Sequence, residues 1–473
     1  MSLGPIGTMD MAAQALEAQQ EAIEITGQNL SNMTNPAYAR QRVNIEASPT
    51  VDTPIGVEGT GAEAVSIQQI RDALLDTQIQ SEDSTTSYVG TAQTTLQDLE
   101  ATLGQVVDTS SSSSTGSTSE PGLGDYLSNL FNAFQTLSTD PTSLANRQAL
   151  MLDASSLATE FNQLSSGVSG LHDSINSALQ SDVTNANQLL SDIANLNNSI
   201  SVTELTTHST ANDLRDQRQA DIEQLSQLAN VTTTTQSNGN LTLSIGGVTM
   251  VSGNQVSDTL AVYTNGGGQN VVQATNAGTI LTTGGSIQAR IDVRDGEVQS
   301  LSDDLNTLAS TLITTVNAIH AKGYGLNGTT NAPFFTGSDA SDIGVNSALL
   351  NDPSLVQASG TSGASGDNQV ALALAQLADT SQSALNNMTF NQSYTQTVAN
   401  MGQALSNVND QVTSQQAIQN MLTQQRESVS GVSIDEEVSN LTVYQRAYEA
   451  NARMISVVDE LLTTLIDLGT GVP

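Results

Sequence analysis

Residues 141–201 read PTSLANRQALMLDASSLATEFNQLSSGVSGLHDSINSALQSDVTNANQLLSDIANLNNSIS. From Leu157 the apolar positions Phe161, Leu164, Val168, Leu171, Ile175, Leu179, Val183, Ala186, Leu190, Ile193, Leu196 and Ile200 follow at helical steps. Their mean step is about 3.6 residues, the period of one face of an α-helix. Asp140-Pro141 just upstream suits a cap followed by a first-turn proline. The spacing predicts a single helix of about sixty residues, roughly 90 Å long. Rods use such elements, and compact enzyme cores rarely do.

Both chain ends carry the same kind of pattern. Ile6, Met9, Ala13, Leu16, Ile23 and Leu30 alternate three- and four-residue steps, interrupted at Gln20 and Gly27. This is a coiled-coil-like stripe of about four heptads, with Pro5 suited to its first turn and Asn35-Pro36 to its end. At the other end Ser433-Ile434-Asp435-Glu436 reads as a capping box. A long helix follows, with Ile434, Val438, Leu441, Tyr444, Tyr448, Ile455, Val458, Leu462 and Leu465 on one stripe. Val443, Ala447, Ala450, Met454, Val457 and Leu461 form a second. Further helices are expected over about 66–104, 212–229, 287–321 and 369–430.

The pattern changes at Val231. Residues 231–285 hold Thr runs, Gly pairs and alternating stretches such as residues 240–245, NLTLSI, and predict a β-rich insertion. Residues 324–367 are rich in Gly, Asn, Ser and Asp without helical period, and the run TSSSSSTGSTSE at 109–120 reads as a flexible loop. The expected architecture is mainly α: an elongated helical bundle or rod of long helices formed by both chain ends, with a small inserted β-rich domain. Residues 1–40 and 433–473 are its terminal assembly helices. Residues 41–230, 286–323 and 368–432 form the helical rod, 231–285 the insert and 324–367 an irregular segment.

Composition narrows the function. Twelve Lys and Arg against 48 Asp and Glu give a net charge of −36, a field that repels phosphates, so nucleic acid is excluded as a partner. Cysteine and tryptophan are absent, which removes thiolate chemistry and leaves an aliphatic core. The 13% of charged residues is low, and Ser, Thr, Asn and Gln cover the surface instead. No run of about 18 apolar residues predicts membrane insertion, and the start MSLGPIGTMDM lacks the basic and apolar regions of a Sec signal.

Catalytic constellations are not found. His172, His208 and His320 stand apart, each read as a solvated side chain. Asp303-Asp304 and Asp435-Glu436-Glu437 are neighbours that diverge by about 100° on a helix. Arg215-Asp216-Gln217-Arg218, with Asp221, reads as an ionic network on a helix surface. No catalytic residue, metal ligand or cofactor site is assigned, and no cofactor is expected.

Ala12-Ala13-Gln14-Ala15-Leu16, Asn29-Leu30-Ser31-Asn32 and Asn35-Pro36-Ala37-Tyr38-Ala39-Arg40-Gln41 resemble the N-terminal signature of bacterial flagellar axial proteins. Ala37 and Ala39 stand where that family usually has Gly and Ser. Residues 431–437 (GVSIDEE), with Leu441, Tyr444-Gln445-Arg446-Ala447-Tyr448 and Ala450-Asn451-Ala452-Arg453, resemble the C-terminal signature of hook and hook-associated proteins. In the interior, Asn212-Asp213-Leu214-Arg215-Asp216-Gln217-Arg218, Ile291-Asp292-Val293-Arg294-Asp295, Asn317, His320, Gly323 and Phe334-Phe335 resemble the hook-associated proteins of the hook–filament junction.

The resemblance implies a homo-oligomeric ring at that junction, on the extracellular flagellum. Its implied partners are the flagellar hook protein and a second hook-associated junction protein. An export chaperone and the type III export apparatus would deliver the chain. Larger members carry an additional β-rich domain after the Phe-Phe pair; about thirty residues between Phe335 and Gly366 imply that it is missing or reduced here. Flagellin, the second junction protein and a secreted adhesin on a flagellar scaffold are the alternatives. The terminal stripes nominate Leu16, Ile23, Leu30, Tyr38, Ile434, Leu441, Tyr448, Ile455 and Leu462 as the assembly interface. Because the rest of a monomer offers no evident cover for these stripes, the two ends are expected to be mobile until assembly buries them.

Overall fold

The computed structural model describes residues 4–53, 56–104, 122–236 and 239–470; the Ser/Thr run at 109–120 lies outside them. Helix α1 (Pro5–Ser31) leads into strands β1 (Gln41–Ala47), β2 (Val51–Thr53), β3 (Gly56–Glu58) and β4 (Ala62–Gln69). Helices α2 (Ala73–Thr102), α3 (Leu123–Thr139), α4 (Leu144–Thr207) and α5 (Asn212–Leu228) follow. Strands β5 (Val231–Thr235), β6 (Leu241–Ile245), β7 (Val248–Ser252) and β8 (Gln255–Val256) form one antiparallel sheet in sequence order. Strands β9 (Leu260–Thr264) and β10 (Asn270–Ala274) pair beside it. The chain returns through α6 (Gly285–Val293), α7 (Gln299–His320), β11 (Phe335–Thr336), β12 (Gly344–Val345), α8 (Ser347–Asn351) and α9 (Gln369–Ala375). It ends in α10 (Phe390–Ser430) and α11 (Ile434–Thr470). No described helix is long and apolar enough to cross a membrane.

The 64-residue α4 is the spine. It starts at Ser143, whose hydroxyl accepts the Asn146 amide, rather than at the expected Asp140-Pro141, which occupy the turn after α3. Its first half packs into an aliphatic core with α2, α3, α7, α9 and α10, and all six phenylalanines of the chain lie buried there. Phe134 and Phe334 meet at 5.2 Å with their rings tilted by 50°, and Phe334 meets Phe335 edge-on at 4.8 Å. Its second half, through Leu179, Val183, Leu190 and Ile193, packs on α5 and the inner face of the β-rich insert. One helix thus joins two cores, which makes the body a rod.

Four expectations need correction. Residues 41–47, 51–53, 56–58 and 62–69 are strands, not the start of the helical rod, and α2 begins at Ala73 rather than near 66. In β1 the alternation of Val43 and Ile45 with polar neighbours pairs antiparallel with β4, and this arm lies along α1. The 287–321 helix is interrupted by a π turn at 294–298, where the guanidinium of buried Arg294 bonds Asp295, Asn176 Oδ1 and the Asn270 carbonyl. Residues 376–389 break the expected 369–430 helix, because Asn386 and Asn387 take left-handed backbone at φ 55° and 62°; a Thr389–Gln392 capping box then restarts it as α10.

The fourth concerns 324–367, which is irregular but packed. Asn317 bonds the Phe335 carbonyl and both the Phe334 and Phe335 amides. His320, read as solvated, is fully buried: Nδ1 meets the Ala332 carbonyl at 2.8 Å and Nε2 accepts the Gln357 amide at 3.0 Å. Burial lowers its pKa to about 4, which keeps the ring neutral. Arg147 is equally enclosed, its guanidinium on the Pro141 and Val356 carbonyls. Side chains from the helices satisfy this segment's backbone where no sheet ladder does.

Candidate functional site

Helices α1 and α11 pack on each other. Asn29, near the end of α1, bonds Glu437, near the start of α11, so the two run antiparallel. Helix α1 is covered by α11 on one side and by the β1–β4 arm on another, and its buried residues are mostly small or polar: Ala12, Ala18 and Ala22, with Ile25, Thr26 and Asn29. Alanines allow close approach where the expected stripe relied on larger side chains. Ile6 stands 66% exposed, and Leu16, Ile23 and Leu30 are only half-buried.

On α11 the inward row is Glu437, Leu441, Tyr444, Asn451, Ile455, Val458 and Leu462, of which only Glu437 and Val458 are buried and the rest half-buried. Ile434 and Tyr448 point outward, 50% and 39% exposed. The second stripe lies open to solvent: Val443, Met454, Val457 and Leu461 are each at least 40% exposed. The nominated residues therefore divide into half-buried positions of the helix pair (Leu16, Ile23, Leu30, Leu441, Ile455 and Leu462), two outward ones (Ile434 and Tyr448) and Tyr38, which lies beyond α1 and bonds Asn29. Isolated apolar side chains on a surface need no explanation, but a continuous helical stripe of them does.

A polar hub fixes this helix pair to the rod. Asn29, 1% exposed, accepts the Gln41 amide and the Tyr38 hydroxyl, both at 2.9 Å, and donates to the Gln41 carbonyl and to Glu437. Arg40 pairs with Glu436 and Glu437 at 2.7 Å, and its amide bonds the Ser430 carbonyl. Arg71 Nη2 lies 2.7 Å from Asp216 and 3.1 Å from the Ala37 carbonyl, and Nη1 reaches Asp76. Asp216 also accepts from Gln69 and the Ala39 amide. Gln41 meets Asp213 and Asn212.

The electrostatics follow from burial. Desolvation lifts Asp216 to about 6, with Arg71 pulling it back. Burial, then the carboxylates of Asp213, Asp216 and Glu437, push the Tyr38 phenol well up, so it remains a donor. Removing one partner from such a buried set leaves the others uncompensated. The Arg215–Arg218 stretch is thus more than a surface network. Asp216 and Arg218 are buried, Arg218 bonding Asn197 Oδ1 at 2.7 Å, while Arg215 pairs with Glu204. Sequence reasoning missed the hub. Its one visible signal was four charged or amide residues in a row in a chain with twelve cations.

The N-terminal signature (Asn29, Tyr38, Arg40, Gln41), the interior segment (Asn212, Asp213, Asp216) and the C-terminal signature (Glu436, Glu437) therefore meet at one point, although they lie far apart in sequence. The family model for the flagellar hook-associated protein FlgK helical domain matches residues 109–335. That for the flagellar basal body rod FlgEFG protein C-terminal matches 423–468. Flagellar hook-associated protein 1 of Bacillus subtilis is 27% identical, over 98% of this chain and 98% of that protein. The Salmonella typhimurium protein of the same name is 24% identical, over 97% and 99%. The fold is similar to that of the flagellar hook junction protein FlgK from Burkholderia pseudomallei, with a TM-score of 0.62 at 18% identity, over 75% of this chain and 100% of that one. With landmarks and matches running from end to end, the chain is similar along its whole length to flagellar hook-associated protein 1.

Proposed function

We propose that copies of this chain close into a ring at the junction between flagellar hook and filament, and that the filament cannot grow without it. Its neighbours along the axis are the hook protein and the second hook-associated junction protein. The role is structural, and no cofactor enters it. The chain reaches the extracellular flagellum through the type III export apparatus, delivered by its export chaperone.

One observation carries this reading. The antiparallel pair α1–α11 is held to the rod by a buried hub, yet it keeps an apolar stripe in solvent along α11. A lone molecule gains nothing from that stripe, whereas each large side chain contributes about 1.5–3 kcal/mol once buried between copies. A surface repeated head to tail around a rotation axis closes as a ring.

The test is deletion of the gene followed by electron microscopy. Cells should carry hooks without filaments. Re-expression of the full chain should restore filaments, and a chain lacking 433–473 should not. Normal filaments in the deletion strain would refute the role.

A further inference from the structure

Leu405 is the last residue that α10 gives to the aliphatic core. Over residues 406–430, roughly 37 Å of helix, only Leu422 and Ser430 are buried. Leu422 packs on Leu75 and Ile79 of α2, a cluster of three side chains. The rest of the hold is polar. Gln93 bonds Asn409 at 2.7 Å, Gln419 bonds Asp83 at 3.1 Å and Arg426 bonds Glu223 at 2.9 Å, while the Arg40 amide bonds the Ser430 carbonyl. Helix α11 follows after Gly431, Val432 and Ser433. Whatever fixes this stretch of α10 therefore also fixes the terminal helix pair to the rod.

Asp83 is the member of this set without an ion pair. It is 7% exposed, and its carboxylate accepts the Gln419 amide. The guanidiniums packed around α2 are engaged elsewhere: Arg426 by Glu223, Arg71 by Asp76 and Asp216, and Arg290 of α6 by Asp182 of α4. Four carboxylates, Asp76, Asp83, Asp216 and Glu223, thus share two guanidiniums, Arg71 and Arg426. Glu82 of α2 and Glu223 of α5 add negative charge around Asp83, and Arg426 opposes them. Asp292 of α6 bonds Tyr88, farther along α2, and β5, also packed on α2, holds only Val and Thr. Burial accordingly lifts the Asp83 carboxyl to about 6. Three residues earlier, on the same face of α2, Gln80 is 4% exposed and its Oε1 has no hydrogen-bond partner. A protonated Asp83 brings a donor to the face on which this acceptor lacks one.

From this arrangement we infer that Asp83 is a proton-operated latch on the last third of α10: neutral, it holds that helix to α2, and charged, it slackens the hold. Acid therefore stiffens the joint between the rod and the terminal helix pair, and alkali loosens it. The sign follows from linkage. When α10 lifts away, Asp83 regains water and its ordinary carboxylate pKa, so the open state is favoured wherever the charged form dominates. Between pH 5 and pH 8 the opening equilibrium should rise about tenfold on account of this one group. Nothing else in this stretch offsets the change, because a single leucine supplies its apolar packing. The latch is a property of the single chain and holds independently of any ring.

The test is hydrogen exchange of the full, free chain at pH 5 and pH 8 and constant ionic strength, read by mass spectrometry as protection relative to the intrinsic rate at each pH. Peptides from 410–430 should lose about tenfold in protection at pH 8, while the first half of α10 and the middle of α4 stay unchanged. Asp83→Asn, nearly isosteric, should keep 410–430 equally protected at both pH values. Gln419→Lys gives the carboxylate a cation of its own and should raise protection at pH 8 towards the value at pH 5. Equal protection of 410–430 at both pH values in the wild-type chain would overturn the latch. So would an undiminished pH dependence in Asp83→Asn, or a loss of the same size in α4, which marks loosening of the whole rod rather than of this joint.

Discussion

Replacing Asn29 is the sharpest perturbation of the hub. Its side chain makes four hydrogen bonds at 1% exposure, two of them to the backbone of Gln41, itself 4% exposed. Asn29→Ala strands the Gln41 amide and carbonyl and removes a partner from Tyr38 and Glu437. At about 1–3 kcal/mol for each buried group left unpaired, with the two outer groups partly rehydrated, the loss is about 3–5 kcal/mol. Asn29→Asp is nearly isosteric but should be no better. It keeps the two acceptor contacts and turns the donor into an oxygen facing the Gln41 carbonyl and the Glu437 carboxylate. Among the described residues of α11 only Glu437 and Val458 are buried, so the pair holds little else in reserve, and a helix of this kind without tertiary packing is marginal. Far-ultraviolet circular dichroism of either variant should lose helical signal corresponding to α1 and α11, 27 and 37 residues long, while the main melting transition of the rod stays in place. Full helical signal in Asn29→Ala, or wild-type behaviour of Asn29→Asp, would refute the hub as the anchor of the helix pair.

Other outcomes follow from single residues. Burial raises Asp83 to about 6, so the folded chain binds this proton more tightly than the unfolded chain, and the cost of this one carboxylate to stability should fade as pH falls from 7 towards 4. Asp83→Asn keeps an acceptor for Gln419 and should add about 2 kcal/mol at pH 7.5 in urea unfolding but almost nothing at pH 4. An equal gain at both would count against the burial cost. Gly285 sits at φ +58° with an added Cβ 2.5 Å from the Leu228 backbone, so Gly285→Ala should lose about 3 kcal/mol or more on chemical denaturation. Gly296, with open space around it, should accept Ala without loss.

Sequence alone revealed what depends on period. The long helix α4, the terminal helices and the β-rich insert all announce themselves through spacing, because one continuous face of each is buried. The arm at 41–69 was missed because β2 and β3 are three residues long and β1 and β4 carry Arg, Asn, Glu and Gln among few apolar positions. The packing of 324–367 was missed because its order comes from Asn317, His320 and Arg147 on other elements. The hub is invisible to periodicity for the same reason: Asn29 and Glu437 are 408 residues apart. Three motifs that carried the family resemblance turned out to be the contacts that join the helix pair to the rod. The assembly residues were only half legible. The stripes were found, but Ala12, Ala18 and Ala22 hold buried positions of α1 while the larger Leu16, Ile23 and Leu30 stay half-buried.

The central claim is that the terminal helix pair is completed by neighbouring copies. Hydrogen exchange read by mass spectrometry, on the free chain and on isolated hook–filament junctions, tests it directly. In the free chain, α1 and α11 should exchange orders of magnitude faster than the middle of α4, whose Leu157, Phe161 and Leu179 are fully buried. In the junction both should become as slow as α4. Equal protection of α1 and α11 in the free chain and in the junction would contradict the account.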